Sequence, residues 1–296
     1  MSLIGLHRYF NRFPTRESAG RRLVRVAALL CLVCCAPAVA AEQDASLTIG
    51  ATGGEFTTMR LLGEAFQQAN PGIRVTVLFS LGNTGGINAT LAGAIDVGTS
   101  SRPVTDLERG KGAQAVEYGR TPLVFVVAST NPVTMITTAQ LADVYAGRQF
   151  DWPDGTRVRP VLRPDTDVTT LLLKQQLPAI AAAMVAAEKR QGMQFALTDQ
   201  DCAIAIANIP GAVGPMTLSE IRTDASTLRP LVLDGVVPDV QTIADASYSA
   251  YESFYLITGR TPTELATRFL AFVSSSAGSS ILLGTAHWVA NAASPR

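Results

Sequence analysis

Leu47-Thr-Ile-Gly-Ala-Thr-Gly-Gly-Glu-Phe56 carries an apolar run into a tight glycine-rich turn, then into Phe56, Met59, Leu62, Phe66 and Ala69 at helical spacing. The pattern predicts a short strand at residues 47–49, a turn at 50–54, and a helix ended by Asn70-Pro-Gly72. The device repeats at once. Ile73, Val75, Val77 and Phe79 alternate with Arg74, Thr76, Leu78 and Ser80, as a strand does. Gly82-Asn-Thr-Gly-Gly86 reads as a second glycine-rich turn, opening a helix with Ile87, Leu91 and Ala94, and Asp96-Val-Gly98 reads as the next strand. Strand, glycine turn, helix, strand is the order of a parallel α/β sheet, whose ligands gather at the carboxyl ends of the strands.

Working outward, Pro122-Leu-Val-Phe-Val-Val-Ala128 is apolar throughout and predicts a buried strand. Residues 138–146 read as a short helix closed by Gly147, 157–163 as a strand, and 169–177 and 179–190 as helices parted by Pro178. Asp199 to Ile206 reads as helical, and Pro210-Gly-Ala-Val-Gly214 as a turn entering a strand. Phe254 to Ile257 reads as a strand, and Thr261-Pro-Thr-Glu264 as a capping box with Pro at the first helical position.

The 296 residues carry 24 Lys+Arg and 24 Asp+Glu, a balance that conceals two unlike segments. Residues 1–40 hold six Arg and one acid, Glu17; the remainder is left at −5 and contains only three Lys, 111, 174 and 189. An acidic body of that kind excludes a nucleic-acid binder with a basic face. The basic stretch leads into Val26-Ala-Ala-Leu-Leu-Cys-Leu-Val-Cys-Cys35 and then Ala36-Pro-Ala-Val-Ala-Ala41, the order of a cleaved secretory leader with its cut after Ala38-Val-Ala40. The apolar run is too short to span a bilayer. The expected product is a periplasmic protein with no stable membrane insertion, a lipoprotein at Cys34 or Cys35 or a twin-Arg route through Arg21-Arg22 being the lesser readings. Cleavage removes three of four Cys, so no disulfide is expected, and Cys202 reads as a buried structural thiol.

A glycine-rich turn before a helix leaves backbone N–H groups facing outward with the positive end of the helix dipole behind them, a setting that suits an anion. Thr52-Gly-Gly54 and Asn83-Thr-Gly-Gly86 are two such turns on consecutive strands; ordinary packing is the alternative for each. No Gly-Lys-Ser/Thr follows either, which excludes a nucleotide-type phosphate loop. Ser100-Ser-Arg-Pro103 ends a further strand, and Arg163 could supply a bidentate fork to a tetrahedral oxyanion or could pair with Asp165 or Asp167. Only two His are present, His7 and His287, and neither adjoins Ser100, Ser101 or Thr52, so no catalytic triad, metal site or cofactor is expected. Glu252 and Tyr255 could pair in a cleft, although a capped strand position explains them as well.

The order of these segments resembles the phosphate-binding subunit of bacterial phosphate ABC importers, and more broadly the phosphate-like solute-binding proteins of the type 2 periplasmic-binding fold. The resemblance rests on Thr48-Ile-Gly-Ala-Thr-Gly-Gly54, Pro71-Gly-Ile-Arg-Val75, Gly82-Asn-Thr-Gly-Gly-Ile87, Asp96-Val-Gly-Thr-Ser-Ser-Arg102, Leu141-Ala-Asp-Val-Tyr-Ala-Gly147 with Trp152-Pro-Asp-Gly155, and Gly211-Ala-Val-Gly214. It continues through Tyr255-Leu-Ile257 and Phe269-Leu-Ala-Phe272 to Ala277-Gly-Ser-Ser-Ile-Leu282. It implies two α/β lobes, residues 46–122 with 246–296 and residues 123–245, joined by two crossover strands around a ligand cleft. The first crossover would be residues 122–128 and the second would fall within 233–248. The implied protein is a monomer that holds a small oxyanion, most often phosphate, and hands it to an ABC permease; it is not an enzyme.

Carried over residue by residue, the implied ligand contacts are Thr52, Gly53, Asn83, Thr84 (family members usually have Ser there) and Ser101 from the first lobe, and Arg163, Asp167, Val168 and Thr169 from the second. Two positions depart from the pattern. Ser101 stands where phosphate binders can carry an Asp that accepts the ligand's proton, and Asp167-Val-Thr169 stands where they usually show Ser-Gly-Thr. Either Asp167 has taken over the proton-accepting role from the opposite lobe, or the cleft holds a different small polar ligand in a sensory or accessory protein not coupled to phosphate uptake.

Overall fold

The computed structural model describes residues 45–79, 81–148, 151–224 and 227–289; the predicted leader lies outside them. Strand β1 (Ala45–Gly50) buries Leu47 and Ile49, and helix α1 (Phe56–Ala69) packs Met59, Leu62 and Phe66 against them in one stripe. Strand β2 (Ile73–Leu78) lies parallel to β1 in full register, Ala45 opposite Ile73 and Gly50 opposite Leu78. After helix α2 (Gly82–Leu91), strand β3 (Val97–Ser100) pairs parallel on the other edge of β1.

The second glycine cluster is not a turn: α2 begins at Gly82, so Gly85 and Gly86 lie inside the helix. Close packing explains Gly86. A Cβ there would sit 3.3 Å from the Thr99 carbonyl oxygen, and one on Gly98 would sit 2.7 Å from Thr90 Oγ1, so the two glycines let α2 lie directly on β3.

Helix α3 (Asp106–Gly110) leads to strand β4 (Gln114–Ala128), of which the apolar run at 122–128 is only the second part. There follow β5 (Met135–Ile136), α4 (Thr138–Ala146), β6 (Arg159–Leu162), α5 (Val168–Gln176), α6 (Pro178–Glu188), β7 (Gln194–Phe195), α7 (Asp199–Asn208), β8 (Ala212–Thr217), α8 (Leu218–Thr223), β9 (Leu228–Pro230), β10 (Val232–Leu233), α9 (Val240–Ala244), β11 (Tyr251–Thr258), α10 (Glu264–Val273) and α11 (Ser276–Gly284). The cap of α10 is Thr263, whose Oγ1 accepts from the Ala266 N–H, and not Thr261 as the capping-box reading had it, so Pro262 precedes the helix.

Among the described residues the main sheet runs β2-β1-β3-β11-β4-β8-β6-β7, with β9 also on β4. Strand β4 serves two neighbourhoods: Gln114 to Pro122 pair with β11, and Leu123 to Ala128 pair with β8 and β9. Its second part is covered on both faces. Leu123, Phe125 and Val127 pack with Leu141, Tyr145 and Leu173, while Val124 and Val126 pack with Val161, Cys202 and Ile206. This is the period-two alternation of a strand buried between helices. Each such side chain contributes about 1.5–3 kcal/mol of burial. The chain returns beside this strand at residues 247–250, where the Leu123 N–H donates to the Ala250 carbonyl and Tyr248 Oη to the Leu123 carbonyl. No helix among the described residues is long and apolar enough to cross a membrane.

Candidate functional site

The turn after β1, the start of α2, the loop after β3 and the loop after β6 all end at one polar pocket of about 190 Å³. Thr52, Gly53, Asn83, Ser101, Arg163, Asp167, Val168 and Thr169 line it. Thr84 does not: it is exposed on α2, with its hydroxyl 3.4 Å from Arg102 Nη2. Arg102 itself is engaged by Glu108, which it holds well below the usual carboxylate range, at about 2.

Several lining residues spend their polar atoms on one another. The Thr52 N–H donates to Thr99 Oγ1 at 2.9 Å and so does not face a ligand. Asn83 Oδ1 accepts from the Ser101 N–H at 2.8 Å, and Asn83 Nδ2 donates to Ser101 Oγ at 3.1 Å, which ties the loop after β3 to α2. Asp167 is the cap of α5: its Oδ1 accepts from the Thr170 N–H, and its Oδ2 accepts from Arg163 Nη2 at 2.7 Å. The Asp that replaces the expected anion turn therefore starts a helix in the ordinary way.

Arg163 is the only cationic side chain lining the pocket among the described residues, and its side chain is 5 % exposed. Besides Asp167 it pairs through Nη1 with Asp199 Oδ1 at 2.7 Å, while its Nε is buried without a hydrogen-bond partner. Of the two ion-pair partners read from the sequence, Asp167 is used; Asp165 is exposed, and Asp199 takes the second place. Burial works against the charge of Arg163, but Asp199 and Asp167 outweigh it and the guanidinium stays cationic.

Sequence reasoning missed the acids from the far side. Asp199 enters at the first turn of α7, and Glu220 from α8, where its Oε2 accepts from the N–H and hydroxyl of Thr217. Both capping boxes, Thr198-x-x-Asp201 and Thr217-x-x-Glu220, were visible as local patterns that place helix starts, but nothing local aims them at a pocket. Glu252 on β11 accepts from Thr169 Oγ1. It does not meet Tyr255, which packs beside Ile87 and Val104. Burial pushes the Glu252 carboxyl up to about 8, with Asp199 adding to the rise and a hydrogen bond from Ser101 opposing it. Burial and then Asp199 also push Glu220 well above its usual range. At neutral pH Glu252 is therefore mostly protonated and can donate as well as accept, and Glu220 holds its proton more readily than a free glutamate.

A stability consequence follows for Glu252. Its folded pKa of about 8 exceeds the ordinary 4.5, so the folded state holds the extra proton, and this group's contribution is lost as pH rises from about 4.5 to 8. Glu252→Gln should flatten that loss: the fall in Tm between pH 5 and pH 8.5, measured by calorimetry, becomes smaller than in the unmodified protein.

Behind the pocket, Glu55 is fully buried and accepts from Tyr118 Oη and faces His287 Nε2 at 3.1 Å, while His287 Nδ1 meets Thr285 Oγ1 at 3.0 Å. Cys202 is buried with Sγ 3.5 Å from the Pro215 carbonyl oxygen, and burial pushes its thiol up to about 12, which makes it a poor nucleophile.

The model of the PBP superfamily domain matches residues 37–277. The chain belongs to the PBP superfamily. Its two-sided sheet and cleft have the type 2 periplasmic-binding form of PBP superfamily members. A Clostridium perfringens crystal structure with bound phosphate superposes at TM-score 0.71 and 20% identity, covering 83% of this chain and all of that one. An ABC-type phosphate transport receptor from Vibrio cholerae gives 0.58 at 20% identity, covering 82% and 99%. Protein SphX of Synechococcus elongatus is 36% identical over 115 residues, 36% of this chain and 33% of that protein. Phosphate-binding protein PstS 2 of Streptococcus agalactiae is 26% identical over 112 residues, 38% of each. The matches thus span a third or slightly more of those curated relatives. Likeness at 20% identity establishes fold, and a PBP superfamily fold serves more than one ligand, so the ligand must be argued from the pocket.

Proposed function

We propose that the protein is a periplasmic solute-binding protein that captures phosphate and passes it to an ABC permease. The observation that carries this reading is Arg163: a single buried cation, at the junction of four strand-end loops, with one donor left without an acceptor. A tetrahedral oxyanion offers several acceptors to such a group and to the backbone of Gly53 and Gly54. The surrounding carboxyls favour a ligand that also brings protons, as phosphate does at neutral pH and sulfate does not. The names of the phosphate-binding relatives support the same ligand. On this reading residues 46–122 with 246–296 form one lobe and 123–245 the other, closing as a clamp, and residues 1–40 are the cleaved leader.

Titration calorimetry and thermal shift with phosphate, arsenate and sulfate test the reading. Specific binding stabilises the fold by about 2.7 kcal/mol at a hundredfold excess over Kd. Asp167→Asn keeps a good helix cap but loses a strong proton acceptor, and the preference for phosphate over sulfate should fall at least about tenfold, the effect of losing one charge-assisted hydrogen bond. An unchanged preference removes Asp167 from ligand selection.

A further inference from the structure

Asp199 spans the pocket. One oxygen, Oδ1, lies on Arg163 Nη1 at 2.7 Å, and a Cβ built on Gly53 or Gly54 would be 3.4 or 3.6 Å from the other, Oδ2. The carboxylate thus pairs with the guanidinium and lies beside the glycine turn, within the same pocket as both groups an anionic ligand would use. We propose that Asp199 is a resident competitor for the oxyanion, a specificity-determining residue that must release Arg163 before an anion binds. The inference rests on the oxyanion reading above.

Asp199 is faced by Arg163 and Asp167 from the β6–α5 side, by Glu220 from α8, by Glu252 from β11, by Glu55 from the start of α1, and by Cys202 on its own helix. Of these only Arg163 favours its charge. Burial and the surrounding acids raise its pKa, with Arg163 opposing them, so Asp199 takes up a proton more readily than a free aspartate. Protonation, or the arrival of an anion that brings its own negative charge, loosens its hold on Arg163. Weakly charged or poorly matched anions fail to displace it, which adds a threshold to the site's selectivity.

Titration calorimetry with inorganic phosphate on the full mature chain tests this, using Asp199→Asn, Asp199→Ala and the control Asp165→Asn. Both Asp199 variants should bind phosphate at least about tenfold more tightly than the unmodified protein at pH 8, as expected for removing a close competing charge. The advantage should shrink toward pH 5, a ratio in which the ionisation of phosphate itself cancels. Asp165 is exposed and outside the pocket, so its variant should match the unmodified protein. If the unmodified protein binds phosphate and the Asp199 variants bind it equally or less tightly, the competitor role is wrong while the oxyanion reading stands. An equal gain in Asp165→Asn would reduce the effect to general charge and also overturn it. If neither the unmodified protein nor any variant binds phosphate, arsenate or sulfate, the oxyanion reading fails and this inference with it.

Discussion

Arg163→Gln should weaken phosphate binding by at least about a hundredfold, because it removes the one cation that lines the pocket among the described residues and leaves Asp167, Asp199 and two buried glutamates facing the ligand. Truncating one partner of a buried, hydrogen-bonded charge pair costs about 2–5 kcal/mol, and a hundredfold corresponds to roughly 2.7 kcal/mol. Arg163→Lys separates charge from shape. A lysine restores the positive charge as a point but not the planar fork that now serves Asp167 and Asp199 together, so it should recover only part of the loss. Calorimetric Kd values for the two variants decide the matter, and a Gln variant within threefold of the unmodified protein would remove Arg163 from the ligand. Thermal melts belong beside them, since two aspartates left without their guanidinium destabilise the fold in their own right.

The largest effect on stability should come from Glu55→Ala. Glu55 joins the first turn to the C-terminal segment: it is 0% exposed, accepts from Tyr118 on β4, and faces His287 beyond α11. Its removal leaves the Tyr118 hydroxyl and a His287 ring nitrogen buried without a partner, at about 1–3 kcal/mol each, and opens a cavity among Tyr118, Phe254 and His287. A total near 2–5 kcal/mol lowers Tm by about 4–20 °C in a protein of this size. Glu55→Gln keeps the volume and one acceptor and should recover about half of it. Chemical denaturation of both variants measures the difference, and a melt of Glu55→Ala indistinguishable from the parent would show that the cluster is not structural.

Much of the fold was legible because periodicity is local. The β1 turn, α1 and the alternation of β2 were placed within a residue or two, since Leu47, Ile49, Met59, Leu62 and Phe66 repeat on the period of the element that buries them. The same reasoning misread Gly82 to Gly86, because glycine marks a turn and a close helix contact with the same letter. It cut β4 short at Pro122 because Gln114 to Glu117 are largely solvent-facing and carry no apolar run. In the site, the residues next to glycine turns were found and those delivered from far along the chain were not. Asp199 stands 36 residues after the arginine it grips, and at the head of a helix an acid needs no other explanation. Glu55 likewise stands at a helix start, where an acid is ordinary, and its partners lie 63 and 232 residues away.

The place of β11 bears on how the protein is made. This strand lies between β3 and β4, yet residues 251–258 are synthesised long after both. Until they appear, β3 and the first part of β4 have no partner between them, and His287, the lid over Glu55, follows later still. The first-made sheet is thus among the last to be closed, so the nascent chain stays incompletely folded until β11 and the segment through His287 are available. A delay of that kind would suit the periplasmic reading proposed above, which needs the polypeptide to cross a membrane as an open thread before it takes shape.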